Sequence, residues 1–139
     1  MGSRGRSPLD NFLEDLSLAN RAPSGSGQPR VAVCLYDLSL WILKRTNRFP
    51  RNYRITLGDR LDTQILCMLA LVQRASLRRE KIALLEQINE ELNVFRSLLR
   101  LSVDLECLQS SQYEHVSKQI EEIGRQIGGW VKQQRRGEE

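Results

Sequence analysis

From Asp59 to Ile123 the chain contains neither glycine nor proline, 65 residues in succession. These two residue types are the strongest punctuation in a sequence, and a sheet protein needs them at its turns. No strand pattern bounded by turn signals fits this run. Its apolar residues recur at spacings of three and four, the helical signature. The fold class is therefore all-α. At 139 residues there is room for one domain of ordinary size. Charged residues at 27% against 40% hydrophobic give a globular balance rather than a disordered one.

Four helices are expected. The first runs from about Val31 to Asn47 with Val31, Leu35, Leu38 and Ile42 on one face. It ends before Phe49-Pro50, because a residue preceding proline is pushed out of the helical region. The second starts near Thr56, read as its N-cap, and carries Leu57, Leu61, Ile65, Met68, Leu69 and Val72. The third covers roughly Arg78 to Leu108, with Ile82, Leu85, Leu92, Phe95 and Leu99 inward. Ser76 is the one cap candidate between the two. A single continuous helix of about 50 residues is the alternative, disfavoured by the usual lengths of helices. The fourth opens with a Ser111/Glu114 capping box. Tyr113, Val116, Ile120, Ile123, Ile127 and Trp130 then form a seam stepping by three and four. Short loops between amphipathic helices imply an up-down-up-down antiparallel four-helix bundle over residues 31–136.

Residues 1–30 differ in composition. Ala22 to Arg30 reads as a flexible linker of Pro, Ser and Gly. Before it, Leu9, Phe12, Leu13 and Leu16 follow helical spacing behind Ser7 and Pro8, a short amphipathic helix that is marginal alone in water. The segment is either a disordered tail or a helix that docks. The longest stretch without a charge, Thr63 to Gln73, has 11 residues against the roughly 20 that a spanning helix needs. No apolar signal segment is read near the start, which Arg4, Arg6, Asp10, Glu14 and Asp15 interrupt. A cytoplasmic protein with no membrane partner is expected.

The single histidine, His115, excludes most nucleophilic centres. Cys34, Cys67 and Cys107 lie 33 and 40 residues apart, without the short spacing of a metal knuckle or redox pair. They read as free, buried thiols. Di-iron bundles need Glu-x-x-His on two helices, and no glycine loop cradles phosphate. Neither an enzyme nor a metal or other cofactor is expected.

Seventeen of the 21 cations are arginine. The guanidinium fork pairs bidentately with phosphate or carboxylate. Lys44, Arg45, Arg48, Arg51, Arg54 and Arg60 fall within 17 residues, with Asp59 the one acid among them. The bundle topology sets them at one end. Arg74, Arg78, Arg79 and Lys81 lie at the other, joined by Lys132, Arg135 and Arg136 from the end of the fourth helix. Two basic poles result, the expected contacts for nucleic acid or another anionic partner. Phe49 and Tyr53 interleave with the first pole. They suit stacking on bases, although Phe49 equally suits plugging the bundle end.

Ile65 to Val72 is apolar at eight successive positions, and a bundle helix normally keeps one face wet. Leu98, Leu101, Leu105 and Leu108 add a second stripe to the third helix. A second buried surface follows, either between identical subunits or beneath the tail helix. The oligomer reading assigns Ile65, Leu66, Leu69, Leu71, Leu98, Leu101 and Leu105 to a subunit interface. Gly124 and Gly128, four apart in the fourth helix, suit the close approach of another helix.

Asn47-Arg48-Phe49-Pro50-Arg51, continuing through Tyr53-Arg54-Ile55-Thr56-Leu57-Gly58, resembles the first loop of a group of bacterial four-helix proteins. So does Ile123-Gly124-Arg125-Gln126-Ile127-Gly128-Gly129-Trp130 near the end. The chain resembles the accessory variability determinant family of diversity-generating retroelements and, more distantly, the S23-type proteins encoded in ribosomal RNA intervening sequences. The first resemblance implies a prokaryotic pentameric barrel with a basic surface and no catalytic site. It implies association with the element's reverse transcriptase and with RNA or DNA, in support of mutagenic complementary-DNA synthesis. The alternative is an S23-type ribosomal-RNA-associated bundle, or a protein-binding scaffold, with no polymerase partner. The tail has no counterpart in either.

Overall fold

The computed structural model describes residues 30–138. The amphipathic helix and linker expected before Arg30 lie outside these residues. Among the described residues there are four long helices and no strand: α1 (Arg30–Thr46), α2 (Asp59–Leu77), α3 (Ile82–Asp104) and α4 (Ser110–Glu138). Helix α1 packs on α2 and α4, α2 on α3, and α3 on α4. Each helix thus touches its two sequential or closing neighbours, the square of a four-helix bundle. Side chains fix the antiparallel sense. Thr46 at the end of α1 reaches Asp62 near the start of α2, and Arg135 near the end of α4 reaches Glu86 near the start of α3.

One continuous core fills the square. It is led by Leu35, Leu38 and Ile42 from α1, Leu61, Ile65 and Met68 from α2, Leu85, Leu92, Phe95 and Leu99 from α3, and Val116, Ile120, Ile123 and Ile127 from α4. The α4 seam has the expected register, with Tyr113 and Trp130 half-buried at its two ends. Ser39, Ser76 and Ser102 donate to the carbonyls of Leu35, Val72 and Leu98, so hydroxyls within helices find partners on their own preceding turn.

The start of α2 departs from expectation. Thr56 is not a cap. The helical path already begins at Arg51 in a single turn, Arg51–Tyr53, and continues through a π-helical segment, Arg54–Gly58, into α2. Pro50 stands at the cap position with φ −53° and makes no side-chain cap, and its carbonyl accepts from the Tyr53 and Arg54 amides at 2.9 and 3.0 Å. The π register shows at Asp59, whose amide reaches the Arg54 carbonyl five residues back. A π segment accommodates an extra residue in the helical path. Here it lets Phe49 and Leu57 both turn inward.

The break between α2 and α3 lies at residues 78–81, where Arg78 is extended at φ −103° and ψ 147°. Ser76 is inside α2, so α3 starts later than expected. It also ends earlier, at Asp104, in a Schellman turn. The Cys107 amide bonds the Ser102 carbonyl at 2.7 Å and the Glu106 amide bonds that of Val103 at 2.9 Å. Glu106 fills the left-handed position at φ 63°. The capping interaction of α4 is displaced from Ser111/Glu114 to Gln109/Gln112, where the Gln109 amide donates to Gln112 Oε1 at 3.0 Å. No described helix is long and apolar enough to cross a membrane.

Candidate interface at two basic poles

The loop after α1 is a tight turn. The Arg48 amide bonds the Arg45 carbonyl at 3.0 Å and that of Phe49 bonds Thr46 at 3.1 Å. Phe49 is 2% exposed and closes the end of the core. Burying a phenyl ring contributes about 1.5–3 kcal/mol, which holds the turn and takes Phe49 out of any stacking role with bases. Tyr53 is half-buried against the same core.

Around this plug Lys44, Arg48, Arg51, Arg54 and Arg60 are exposed, while Arg45 is half-buried with its guanidinium 5.3 Å from the centre of the Trp41 ring. Lys44 and Arg45 end α1, where cations complement the helix dipole. Arg51 and Arg54 do the opposite. They stand at a helix start that has no side-chain cap and no acid in its first turn. Cations there oppose the dipole by about 0.3–1 kcal/mol each. An anion placed there would complement both the guanidinium groups and the dipole.

Beside it opens a groove of about 370 Å³, lined by Leu40, Leu43, Lys44, Thr46, Asn47, Arg54, Asp59 and Asp62. Thr46 Oγ1 donates to Asp62 Oδ1 at 2.6 Å. Burial pushes the Asp62 carboxyl above the ordinary range, Asp59 adds to the rise, and the Thr46 hydrogen bond opposes it.

At the opposite end Arg74, Arg78, Arg79, Lys132, Arg135 and Arg136 are all exposed. Arg135 pairs with Glu86 at 2.9 Å, and Lys81 lies 5.0 Å from the centre of the Trp130 ring. These contacts hold Lys81 of the α2–α3 turn and Glu86 of α3 against the end of α4. Among the described residues, Arg135 alone of the thirteen pole cations forms an ion pair.

The assigned subunit-interface residues divide. Ile65, Leu69 and Leu71 are buried inside the single chain, so they are core residues and not a second surface. Helix α2 lies between α1 and α3 and buries a wide arc, which accounts for most of its all-round apolar run. Leu98 and Leu105 are half-buried against the same core, whereas Leu66 and Leu101 stay 43% and 45% exposed. Four exposed apolar residues were not read as surface from the sequence: Leu40 on α1, Val94, seven before Leu101 on one face of α3, Ile55 in the π segment beside Arg54, and Leu77 at the end of α2.

The glycines offer no close helix contact within the chain. A Cβ at Gly124 would meet only the end of the Arg96 side chain, and Gly128 is open. The three thiols are free, as expected, but not all buried. Cys67 is exposed, and Cys34 and Cys107 are half-buried. Burial pushes the Cys107 thiol up. His115 packs against Trp41 with the rings tilted by 46° and their centres 5.9 Å apart, between α1 and α4. There Gln126 Nε2 donates to Glu122 at 3.1 Å, and that bond, with Arg125 beside it, holds the Glu122 carboxyl low. Among the described residues no group of His, Cys, Asp and Glu is arranged to hold a metal ion.

No curated protein and no solved structure matches the chain. A family model, described as bAvd-like, matches residues 31–134, which is the whole bundle from the first turn of α1 to the last turns of α4. On this match over most of its length, the chain belongs to the bAvd-like family, of the accessory variability determinant kind.

Proposed function

We propose that the protein is a non-catalytic accessory subunit of a diversity-generating retroelement, binding the reverse transcriptase and its template RNA or complementary DNA to support mutagenic synthesis. Membership of the bAvd-like family supports an accessory role. The observation that carries the rest is the pole on the Arg51–Gly58 turns that lead into α2. Arg51 and Arg54 crowd an uncapped helix start against its dipole, an arrangement that costs stability and repels other cations. It becomes favourable when phosphates or carboxylates sit there. Subunits assemble as a homo-oligomer, a pentamer by family resemblance. The apolar contact runs along Val94, Leu98, Leu101 and Leu105 of α3 and Leu66 of α2. Five copies then present five pairs of poles.

Two triple variants test this, Arg48→Ala/Arg51→Ala/Arg54→Ala and Arg74→Ala/Arg78→Ala/Arg79→Ala. All six residues are exposed, so folding is expected to change little. Filter binding to RNA and DNA, beside a pull-down with the reverse transcriptase, reads the outcome. At least one variant is expected to lose binding across all sequences, because arginine forks on phosphates carry no base information. Loss of the enzyme alone assigns that pole to acidic patches on the polymerase. No change in either assay for either variant overturns the proposal.

A further inference from the structure

The most exposed large apolar side chain among the described residues is Leu77, at 87%. It is the last residue of α2 and stands among Arg74, Arg78 and Arg79, all exposed and none of them in a described ion pair. Arg74 and Leu77 are three apart and share a face of the helix. The surface therefore offers an apolar knob ringed by guanidinium groups, and it suits an occupant that is both apolar and acidic.

Such an occupant exists in the same chain. Leu9, Phe12, Leu13 and Leu16 follow a spacing of three, one and three, the stripe of an amphipathic helix, and Asp10, Glu14 and Asp15 lie between them with no cation from Ser7 to Asn20. The antiparallel register fixed by Thr46 and Asp62 sets Arg30 level with Arg78, and neighbouring helix axes lie about 8–10 Å apart. The chain outside the described residues thus departs from the same end of the bundle as Leu77. The 13 residues from Ser17 to Pro29, rich in Pro, Ser and Gly, reach roughly 20 Å root-mean-square. That covers the gap and gives an effective concentration on the order of millimolar.

We propose that residues 9–16 dock on this pole of their own chain, the apolar stripe over Leu77 and the carboxylates on Arg74, Arg78 and Arg79. The segment is an internal competitor for any polyanion that approaches there. The docking stands on the surface and the tether. Only its consequence for nucleic acid rests on the proposed function.

Hydrogen exchange on the full chain at low salt tests it. Amides of residues 9–16 are expected to exchange about ten-fold more slowly than in three variants: Asp10→Asn/Glu14→Gln/Asp15→Asn, Arg74→Gln/Arg78→Gln/Arg79→Gln, and Leu77→Ser. Added salt should have the same effect on the unaltered chain. Equal exchange in all four proteins overturns the proposal. So does protection that survives both the arginine and the Leu77 changes, which places the segment elsewhere. Protection that fades on dilution assigns the contact to a second copy and overturns docking within one chain. A short single-stranded RNA serves as the competing probe, and the carboxylate variant is expected to bind it several-fold more tightly. Coupled exchange with unchanged RNA affinity supports the docking and removes the nucleic-acid role of this pole, so the two readings fail separately.

Discussion

Two residues carry local costs that the rest of the bundle offsets. Glu106 holds a φ of 63° at the Schellman turn after α3, a conformation that costs a residue with a Cβ about 1–2 kcal/mol. Glycine removes that cost and loses about 0.5–1 kcal/mol through its freer unfolded chain. Glu106→Gly is therefore expected to stabilise by up to about 1 kcal/mol, seen as a higher urea midpoint at unchanged slope. A lower midpoint would mean that the carboxylate makes a compensating contact. Asp62 is the second case. Its carboxyl is raised by burial more than Thr46 lowers it, so the folded state holds the proton more tightly than the unfolded chain does. The carboxyl thus opposes folding once pH exceeds its folded value, and the penalty disappears below the unfolded value. Asp62→Asn keeps an oxygen for the Thr46 hydroxyl. It is expected to raise the urea midpoint at about pH 7, with the gain shrinking as pH falls through the carboxylate range. A gain that is flat with pH would assign the effect to packing.

Among the elements, α1 and α4 were legible from the sequence because each carries one apolar stripe, although the cap of α4 lies two residues before the one read from the sequence. Phe49-Pro50 stops α1, and six seam residues run along α4. The start of α2 was not, since a π segment depends on burying Phe49 and Leu57 together, a tertiary demand with no spacing of its own. Thr56 had the right side chain for a cap and the wrong place in the path. The run from Ile65 to Val72 misled for a related reason. Periodicity counts apolar residues but does not show how wide an arc two flanking helices cover, so core residues Ile65, Leu69 and Leu71 read as surface. That sorting decides how assembly should be probed. Leu69→Ala is expected to cost about 2–5 kcal/mol of protomer stability by opening a cavity. Leu101→Glu changes an exposed site and should leave helicity intact. If the α3 stripe joins subunits, it lowers the particle mass measured by light scattering. Unchanged mass in a well-folded Leu101→Glu protein would remove this stripe from the interface.

At the scale of the whole molecule, the poles were legible as charge and topology together. Cations far apart in sequence meet because antiparallel helices return to the same end. What stayed hidden was which cations the fold occupies internally, as Glu86 does Arg135 and Trp41 does Arg45, since those partners are set by tertiary packing. A single pole offers few phosphate contacts, and each neutralised phosphate of a single strand contributes about −0.7 to the log–log salt slope. A lone protomer should therefore show a shallow slope and weak binding. An oligomer presents the same pole several times, and a strand long enough to reach several copies gains both contacts and effective concentration. The slope for a long RNA is expected to be several-fold steeper for the unaltered protein than for the Leu101→Glu protomer, while a very short RNA should give similar slopes for both. The contrast between strand lengths separates repetition of a site from a change within it. Damage to the pole would flatten both slopes, whereas loss of assembly flattens only the long one. A long-strand slope that survives dissociation would mean that one protomer holds every contact, and the repeated poles would have no part in binding.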